Sequence, residues 1–342
     1  MTLLTNFTNL TRRAVLAGGI ALATGSAAFA ADYTAQIGHL ESDKQSRHVH
    51  LLKVAEMVKE RTNGAVEFQI FPSGQLGNQR QMTEGVQLGT IQGTVSPAAF
   101  IGGFNPAISI LDIPFLLPAN ADNAQKLREG AFGEALLASF SEKGVVGVAL
   151  WPNGLKNFTS NKPLDNLDSF TGQKFRVMDS KILIEQFDAL GASAIALPFG
   201  ELYTSLQTGV VDGQENPLDT IQRMKFYEVQ KHLVVSEHGA MEDVALFNPA
   251  WWNGLPANYR TIITEAFAEV VPELRAHKAK AVDAALDVIK QSDISVRVAS
   301  ADEKAALRAK MYDKAKAAYI ERAGATGKDL IAVYEKAYAA LN

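Results

Sequence analysis

Cysteine is absent from this chain of 342 residues, so disulfide bonds, thiolate catalysis and cysteine-based zinc sites are excluded. Beyond residue 30, no run approaches the roughly 18 consecutive apolar residues that a membrane-spanning helix needs. The motifs that mark phosphate loops, helical zinc sites and serine nucleophile elbows are missing as well. An enzyme therefore remains possible only if its catalytic groups come together in the folded chain.

Acidic residues are missing from the first thirty positions, which have the organisation of an export signal. A polar segment ends in two arginines, a run of small apolar residues follows, and Ala28-Phe29-Ala30 fits a small-x-small cleavage site. The paired arginines also resemble a twin-arginine export signal. We therefore expect a mature periplasmic chain that begins at Ala31.

The composition, 47% hydrophobic and 20% charged, is that of a globular protein, and the length predicts about two domains. Removal of the first thirty residues takes away two of the 33 basic residues and none of the 37 acidic ones, which leaves a net charge of −6. This charge argues against nucleic acid as a partner. His48 and His50 face different directions on a predicted helix, so we expect surface histidines and no metal or cofactor site.

The order of predicted elements indicates an α/β fold. A strand over 33–39 precedes a helix over 45–62, and a strand over 66–70 and a helix over about 79–88 follow. A further strand is predicted over 155–160. The pattern of helix end, glycine, short apolar strand and second glycine occurs at 87–93 and again at 207–213, which suggests two similarly built lobes. Beyond residue 258 the chain is predicted to be mainly helical, with a kink near Pro272 and two terminal helices over 304–322 and 328–340.

Two polar residues at predicted strand ends are candidates for binding an anion. Arg176 lies in a strand over 174–177, on the face opposite Phe175 and Val177, and its guanidinium could form two parallel hydrogen bonds with a carboxylate. Asn216 precedes a proline that restricts it to extended geometry. From the pattern alone, a surface arginine and a turn-forming asparagine remain the alternatives.

The stretch 206–217, Leu-Gln-Thr-Gly-Val-Val-Asp-Gly-Gln-Glu-Asn-Pro, resembles the solute-binding proteins of tripartite ATP-independent periplasmic (TRAP) transporters. Further similar segments are Gly-Gln-Leu-Gly at 74–77 and Lys-Phe-Tyr-Glu-Val-Gln-Lys at 225–231. The resemblance implies a two-lobed periplasmic binding protein fold with a ligand cleft between the lobes and a long connecting helix. Lobe I would comprise residues 31–153 and 242–281, and lobe II residues 154–241 and 282–342.

The resemblance also implies which residues hold the ligand. An arginine at the position of Arg176 binds the ligand carboxylate in this family, an asparagine at the position of Asn216 assists, and an aromatic residue at the position of Phe199 lines the pocket. The implied partners are a small organic acid and the small and large membrane subunits of a TRAP transporter. We expect a monomer without cofactor or metal, and no enzymatic activity.

The ligand expected first is a C4-dicarboxylate such as malate, succinate or fumarate. The form Asn-Gly-x-Lys at 153–156 looks like that branch of the family, and Lys156 or Arg47 could neutralise a second carboxylate. The alternatives are another carboxylate, such as a sugar acid, a keto acid or lactate, a periplasmic enzyme acting on a carboxylate, and a sensing partner of a membrane receptor.

Overall fold

The computed structural model describes residues 31–341, so the expected export signal at 1–30 lies outside the described residues. The strands in this part of the chain are β1 (Tyr33–Gly38), β2 (Val66–Phe71), β3 (Gly93–Pro97), β4 (Val146–Ser160), β5 (Lys174–Val177), β6 (Ser193–Ala196), β7 (Gly213–Asn216), β8 (His232–Phe247) and β9 (Ser295–Val298). The α-helices are α1 (Ser46–Arg61), α2 (Gln79–Leu88), α3 (Ala121–Glu129), α4 (Ala131–Ala138), α5 (Lys181–Asp188), α6 (Leu202–Gln207), α7 (Leu218–Arg223), α8 (Pro249–Gly254), α9 (Ala257–Glu269), α10 (Val271–Lys290) and α11 (Ala301–Ala339).

One mixed sheet contains the same arrangement of strands twice. Its order is β2-β1-β3-β8-β4-β7-β5-β6, with β9 beside β8. In the first half, β1 is parallel to β2 and β3, and β3 is antiparallel to β8. In the second half, β5 is parallel to β6 and β7, and β7 is antiparallel to β4. The predicted α/β fold with two similarly built lobes is confirmed.

The long antiparallel strands β4 and β8 connect the two halves of the sheet. Of β4, only residues 155–160 were predicted from the sequence, and β8 was not predicted. Strand β8 is buried along nearly its whole length, and its buried acids Glu242 and Asp243 interrupt the hydrophobic pattern. Arginines from distant parts of the chain pair with both acids, so the sequence around β8 could not indicate that they are buried.

The C-terminal helices follow the sequence prediction with one difference. The predicted kink near Pro272 separates α9 from α10, with the proline in the first turn of α10, where it needs no hydrogen-bond donor. The two predicted terminal helices form α11, which is interrupted at Gly324 by a positive φ of 61°.

Helix α11 contacts both halves of the molecule. Leu307 and Met311 pack with the core around β5, whereas Tyr319 and Tyr334 pack with the core of the first half. We propose that α11 connects the two lobes, although residues 282–342 were assigned to lobe II on the sequence. The other lobe boundaries stay predictions.

The structure places the paired histidines differently from the sequence prediction. His48 and His50 are both buried, so the expectation of surface histidines is wrong. A ring nitrogen of each bonds to a neighbour on the protein: His48 Nδ1 to His39 Nε2, and His50 Nδ1 to the Ser46 carbonyl. Residues 31–341 hold no group of acids and histidines suited to a metal ion. None of the helices described is long and apolar enough to cross a bilayer.

Candidate functional site

A small inner cavity lies where the carboxyl ends of parallel strands from both halves meet. In the first half, Glu41 follows β1 and Phe100 follows β3, and both line the cavity. In the second half, Met178 follows β5, Phe199 follows β6, and Asn216 ends β7. Open α/β sheets bind ligands in the crevice outside such strand ends. The repeated half-sheet therefore brings two sets of loops together around one site.

The inner cavity continues into a larger outer pocket. The volume of the inner cavity is ≈ 20 Å³, which is room for about one water molecule. The outer pocket has a volume of ≈ 680 Å³ and shares Leu40, Phe100 and Phe199 with the inner cavity. An organic acid therefore reaches the inner cavity only if its walls move apart.

Arg176 is buried on β5 without an acidic partner. Its Nε and Nη2 donate to the Leu197 carbonyl at 3.0 and 2.7 Å, and 1% of the residue is exposed. Arg176 itself lines neither cavity, but its guanidinium carbon lies 5.6 Å from the centre of the ring of Phe100, which lines both. Burial lowers the pKa of Arg176 to about 10, and the charge of Glu215 opposes this only in part. No acid among residues 31–341 forms an ion pair with Arg176, so its charge can serve an anion.

Asn216 lies on the same face of the sheet as Arg176. In the ladder between β5 and β7, Arg176 is opposite Gln214, and Asn216 is two residues further along β7. The Asn216 amide donates to the side-chain oxygen of Gln214, and Asn216 lines the inner cavity. The structure thus brings together the arginine and the asparagine that the resemblance identified.

Two phenylalanines form apolar walls of both cavities. Phe199 has its ring 6.1 Å from that of Phe226, in an edge-to-face arrangement. Phe100, from the opposite half, was not identified from the sequence. The repeat is the signal that could have indicated it, because the 120-residue offset between 87–93 and 207–213 relates Phe100 to Thr220, which also lines the inner cavity.

Lys156, like Arg176, lines neither cavity, but it differs from Arg176 in having an acidic partner. Its Nζ donates to Glu215 Oε1 at 2.8 Å, and both side chains are almost fully buried. Glu215 also accepts hydrogen bonds from His238, at 2.7 Å, and from Gln186. Burial opposes ionisation of Glu215, but Lys156 and His238 lower its pKa to about 2. Because Glu215 already neutralises Lys156, this geometry indicates a structural role for the lysine.

Arg47 lines the inner cavity, but two carboxylates share its charge. Its Nε and Nη2 each donate to a different oxygen of Asp243 at 2.7 Å, and Nη2 lies 3.3 Å from Glu41. Lys278 extends this group of charges, since it donates to Asp219 at 2.6 Å and lies 4.0 Å from Glu41. Arg47 therefore lies at the predicted site, but Asp243 and Glu41 already balance its positive charge, which disfavours binding of a second ligand carboxylate.

The acid Asp112 lies in the same buried region as Lys156 and accepts a hydrogen bond from Ser180 at 2.6 Å. Burial raises the pKa of Asp112 from 3.8 to about 7, although Lys156 and Ser180 act in the opposite direction. Between pH 3.8 and about pH 7, Asp112 is protonated in the folded protein but ionised in the unfolded chain. The contribution of Asp112 to stability therefore falls as the pH rises through that range.

We expect Asp112→Asn to become more stabilising, relative to the wild type, as the pH rises from about 5 to about 8. The asparagine keeps the shape of the neutral acid and has no proton to lose. Urea unfolding at several pH values measures the difference. Asp165→Asn makes the same change at an exposed loop position and serves as control. A difference between Asp112→Asn and wild type that is independent of pH would contradict the prediction.

Residues 37–322 match the family described as bacterial extracellular solute-binding protein, family 7. The curated C4-dicarboxylate-binding periplasmic protein DctP of Rhodobacter capsulatus is 35% identical over 265 residues, which are 76% of this chain and 79% of that protein.

Solved structures show the same fold. A TRAP periplasmic solute-binding protein from Desulfovibrio salexigens with bound orotic acid has a TM-score of 0.90 and 65% identity, over 91% of this chain and 100% of that one. Another from Sulfurospirillum deleyianum, with bound succinate, has a TM-score of 0.80 and 30% identity, over 89% and 99% of the two chains. These similarities extend over both halves of the sheet.

Proposed function

Because the chain belongs to family 7 of the bacterial extracellular solute-binding proteins, we propose that it captures a small organic acid in the periplasm for a TRAP transporter. The observation that carries this proposal is the buried guanidinium of Arg176, which has no counter-ion within the described chain. A buried charge without a partner costs free energy, so its retention is explained by an anion that the protein binds.

The binding mechanism we propose is closure of the two lobes around the acid. A micromolar affinity requires about −8 kcal/mol, whereas one hydrogen bond to a charged group contributes roughly 1.5–3 kcal/mol. Arg176 alone is therefore insufficient, and contacts from both halves are needed. A ligand that touches both lobes favours the closed state, because it makes more contacts there. The membrane subunits would distinguish the two shapes, and the acid would leave chemically unchanged.

The first ligand candidate is a planar cyclic carboxylic acid such as orotate. The Desulfovibrio salexigens protein, 65% identical to this chain, holds orotic acid. The phenyl walls formed by Phe100 and Phe199 suit a flat ring. The pairing of Lys156 with Glu215 supports the same choice, because among residues 31–341 it leaves Arg176 as the buried cation near the site that has no acidic partner, and one such cation suits a single carboxylate.

A C4-dicarboxylate is the second candidate. The Rhodobacter capsulatus protein, at 35% identity, is named for binding this class of acid. Arg47 is the observation in favour, because this arginine lines the inner cavity. A dicarboxylate would have to compete with Asp243 and Glu41 for the charge of Arg47.

We expect orotate to bind at least about tenfold more tightly than succinate, a difference of about 1.4 kcal/mol. A thermal-shift screen of orotate, succinate and galactonate identifies binders, since a ligand that binds only the folded state raises its stability. Isothermal titration then gives the affinities. Tighter binding of succinate would favour the second candidate, and no binding by any carboxylate would refute the proposed function.

A further inference from the structure

Two buried oxygen atoms at the inner cavity have no hydrogen-bond donor in the described protein. They are Glu41 Oε2 and Asn153 Oδ1, from residues that line the cavity and are 4% and 1% exposed. Buried polar atoms are nearly always hydrogen-bonded, because water has been removed from them. Two such acceptors at one cavity can therefore take hydrogen bonds from a bound ligand.

The orientation of the Asn153 amide is determined by its neighbour. Asn153 Nδ2 donates to Asp243 Oδ1 at 2.9 Å, and Asp243 also accepts both hydrogen bonds of Arg47. Both oxygens of Asp243 already accept hydrogen bonds from Arg47, so reversing the amide would place two acceptor oxygens against each other. Asn153 must therefore present its Oδ1 as an acceptor.

Glu41 is likewise restricted to accepting. Its Oε1 lies 3.3 Å from Arg47 and 4.0 Å from Lys278. Burial opposes its ionisation, but the charges of Arg47 and Lys278 outweigh burial and hold the pKa of Glu41 below its usual value. The carboxylate is therefore ionised at neutral pH, and its Oε2 needs a donor.

The same charges make this side of the cavity unsuitable for a second ligand carboxylate. Glu41 is negative, and the nearby cation Arg47 already binds Asp243 through two hydrogen bonds. A carboxylate placed beside Glu41 Oε2 would meet a like charge, which is costly in a buried site. A neutral N–H group meets no such repulsion.

We propose that Glu41 and Asn153 accept hydrogen bonds from N–H groups of the ligand, so that the preferred acids are cyclic amides or ureides that carry one carboxylate. The inference rests on the proposed function, in which Arg176 holds that carboxylate. Orotate belongs to this class, because its ring carries two N–H donors and one carboxylate, whereas succinate has no N–H group. Glu41 and Asn153 are thus specificity-determining residues.

A comparison of ligands on the wild-type protein tests the proposal without any substitution. Orotate is compared with pyrimidine-4-carboxylate, whose ring has the same size but whose ring nitrogens accept hydrogen bonds instead of donating them. We expect orotate to bind at least tenfold more tightly in isothermal titration. Equal affinity of the two acids would overturn the proposal while leaving a carboxylate-binding function intact.

The variants Glu41→Gln and Asn153→Ala test the two residues directly. Each is expected to weaken orotate binding at least fivefold and to change the affinity for pyrimidine-4-carboxylate less than twofold. Glu41→Gln should also strengthen succinate binding, because it removes the repelling charge. Asp43→Asn removes the same charge from an exposed position two residues away and should alter none of these affinities.

The outcomes separate this inference from the proposed function. Equal losses for all three acids in Glu41→Gln and Asn153→Ala would indicate a purely structural role and overturn the inference. Binding of succinate but not of orotate would also overturn it, while the proposed function would stand. Failure of every carboxylate to bind the wild type would refute both. Circular dichroism shows whether each variant is folded. If a variant does not fold, the comparison of orotate with pyrimidine-4-carboxylate on the wild-type protein still tests the inference.

Discussion

Arg176→Met is expected to weaken orotate binding at least about thirtyfold, because loss of one partner from a buried charge pair costs about 2–5 kcal/mol. Arg176→Lys is expected to lose at least about tenfold, since an ammonium group cannot make the two parallel hydrogen bonds of a guanidinium. Isothermal titration of the two variants and the wild type measures both effects. An unchanged affinity in Arg176→Met would remove this arginine from the ligand site.

The ligand-free protein should tolerate the same substitution. Arg176 has no ion pair that its loss would break, and burial already lowers its pKa to about 10. We therefore expect the free energy of unfolding of Arg176→Met to stay within about 1 kcal/mol of the wild-type value. Arg297→Met is the matched control, since Arg297 binds Glu303 through two hydrogen bonds at 2.7 and 2.6 Å and donates to the Leu164 carbonyl, away from the residues that line the two cavities. That variant should keep full ligand affinity.

Lys156→Met is expected to lower the free energy of unfolding by about 3–5 kcal/mol, the usual cost of leaving one member of a buried ion pair without its partner. Glu215 would remain buried, with hydrogen bonds only from His238 and Gln186. The loss should be largest near neutral pH, because the pKa of Glu215 in the folded wild type is about 2. Urea unfolding measures the effect.

Two further variants identify the cause of that loss. Lys162→Met removes a half-exposed lysine that pairs with Asp212 at 2.9 Å, and it should cost no more than about 1 kcal/mol. The double variant Lys156→Met, Glu215→Gln should recover part of the stability lost in Lys156→Met, because no charge is then left unpaired. If Lys156→Met instead keeps its stability but loses affinity for succinate, the original prediction that Lys156 contacts the ligand would be correct.

Much of the fold could be predicted from local patterns. The helix over 79–88 and the strand over 174–177 have the observed bounds, because hydrophobic periodicity and glycine caps act between neighbouring residues. The repeated motif around Gly89 and Gly209 correctly indicated two similar halves, since both glycines have positive φ at a helix end before a strand. The alternation around Arg176 also predicted its face on β5.

The charged residues were harder to place, because their partners are distant in sequence. Lys156 binds Glu215, 59 residues away, and Arg47 binds Asp243, 196 residues away. A lysine or an arginine near a ligand motif looks the same in the sequence whether its charge is free or already neutralised. For the same reason Glu41 and Asn153 were not identified as candidate contacts.

The sequence by itself determined the α/β halves, the strand that carries Arg176 and the resemblance that links Arg176, Asn216 and Phe199 to a carboxylate, because these depend on short-range periodicity and local motifs. Only the tertiary structure decided which charges are free to meet a ligand. It leaves Arg176 without a counter-ion, neutralises Lys156 with Glu215, and places the unpaired acceptors of Glu41 and Asn153 at the cavity. The physical reason is that burial makes every charge depend on its spatial neighbours, and the long strands β4 and β8 set those neighbours.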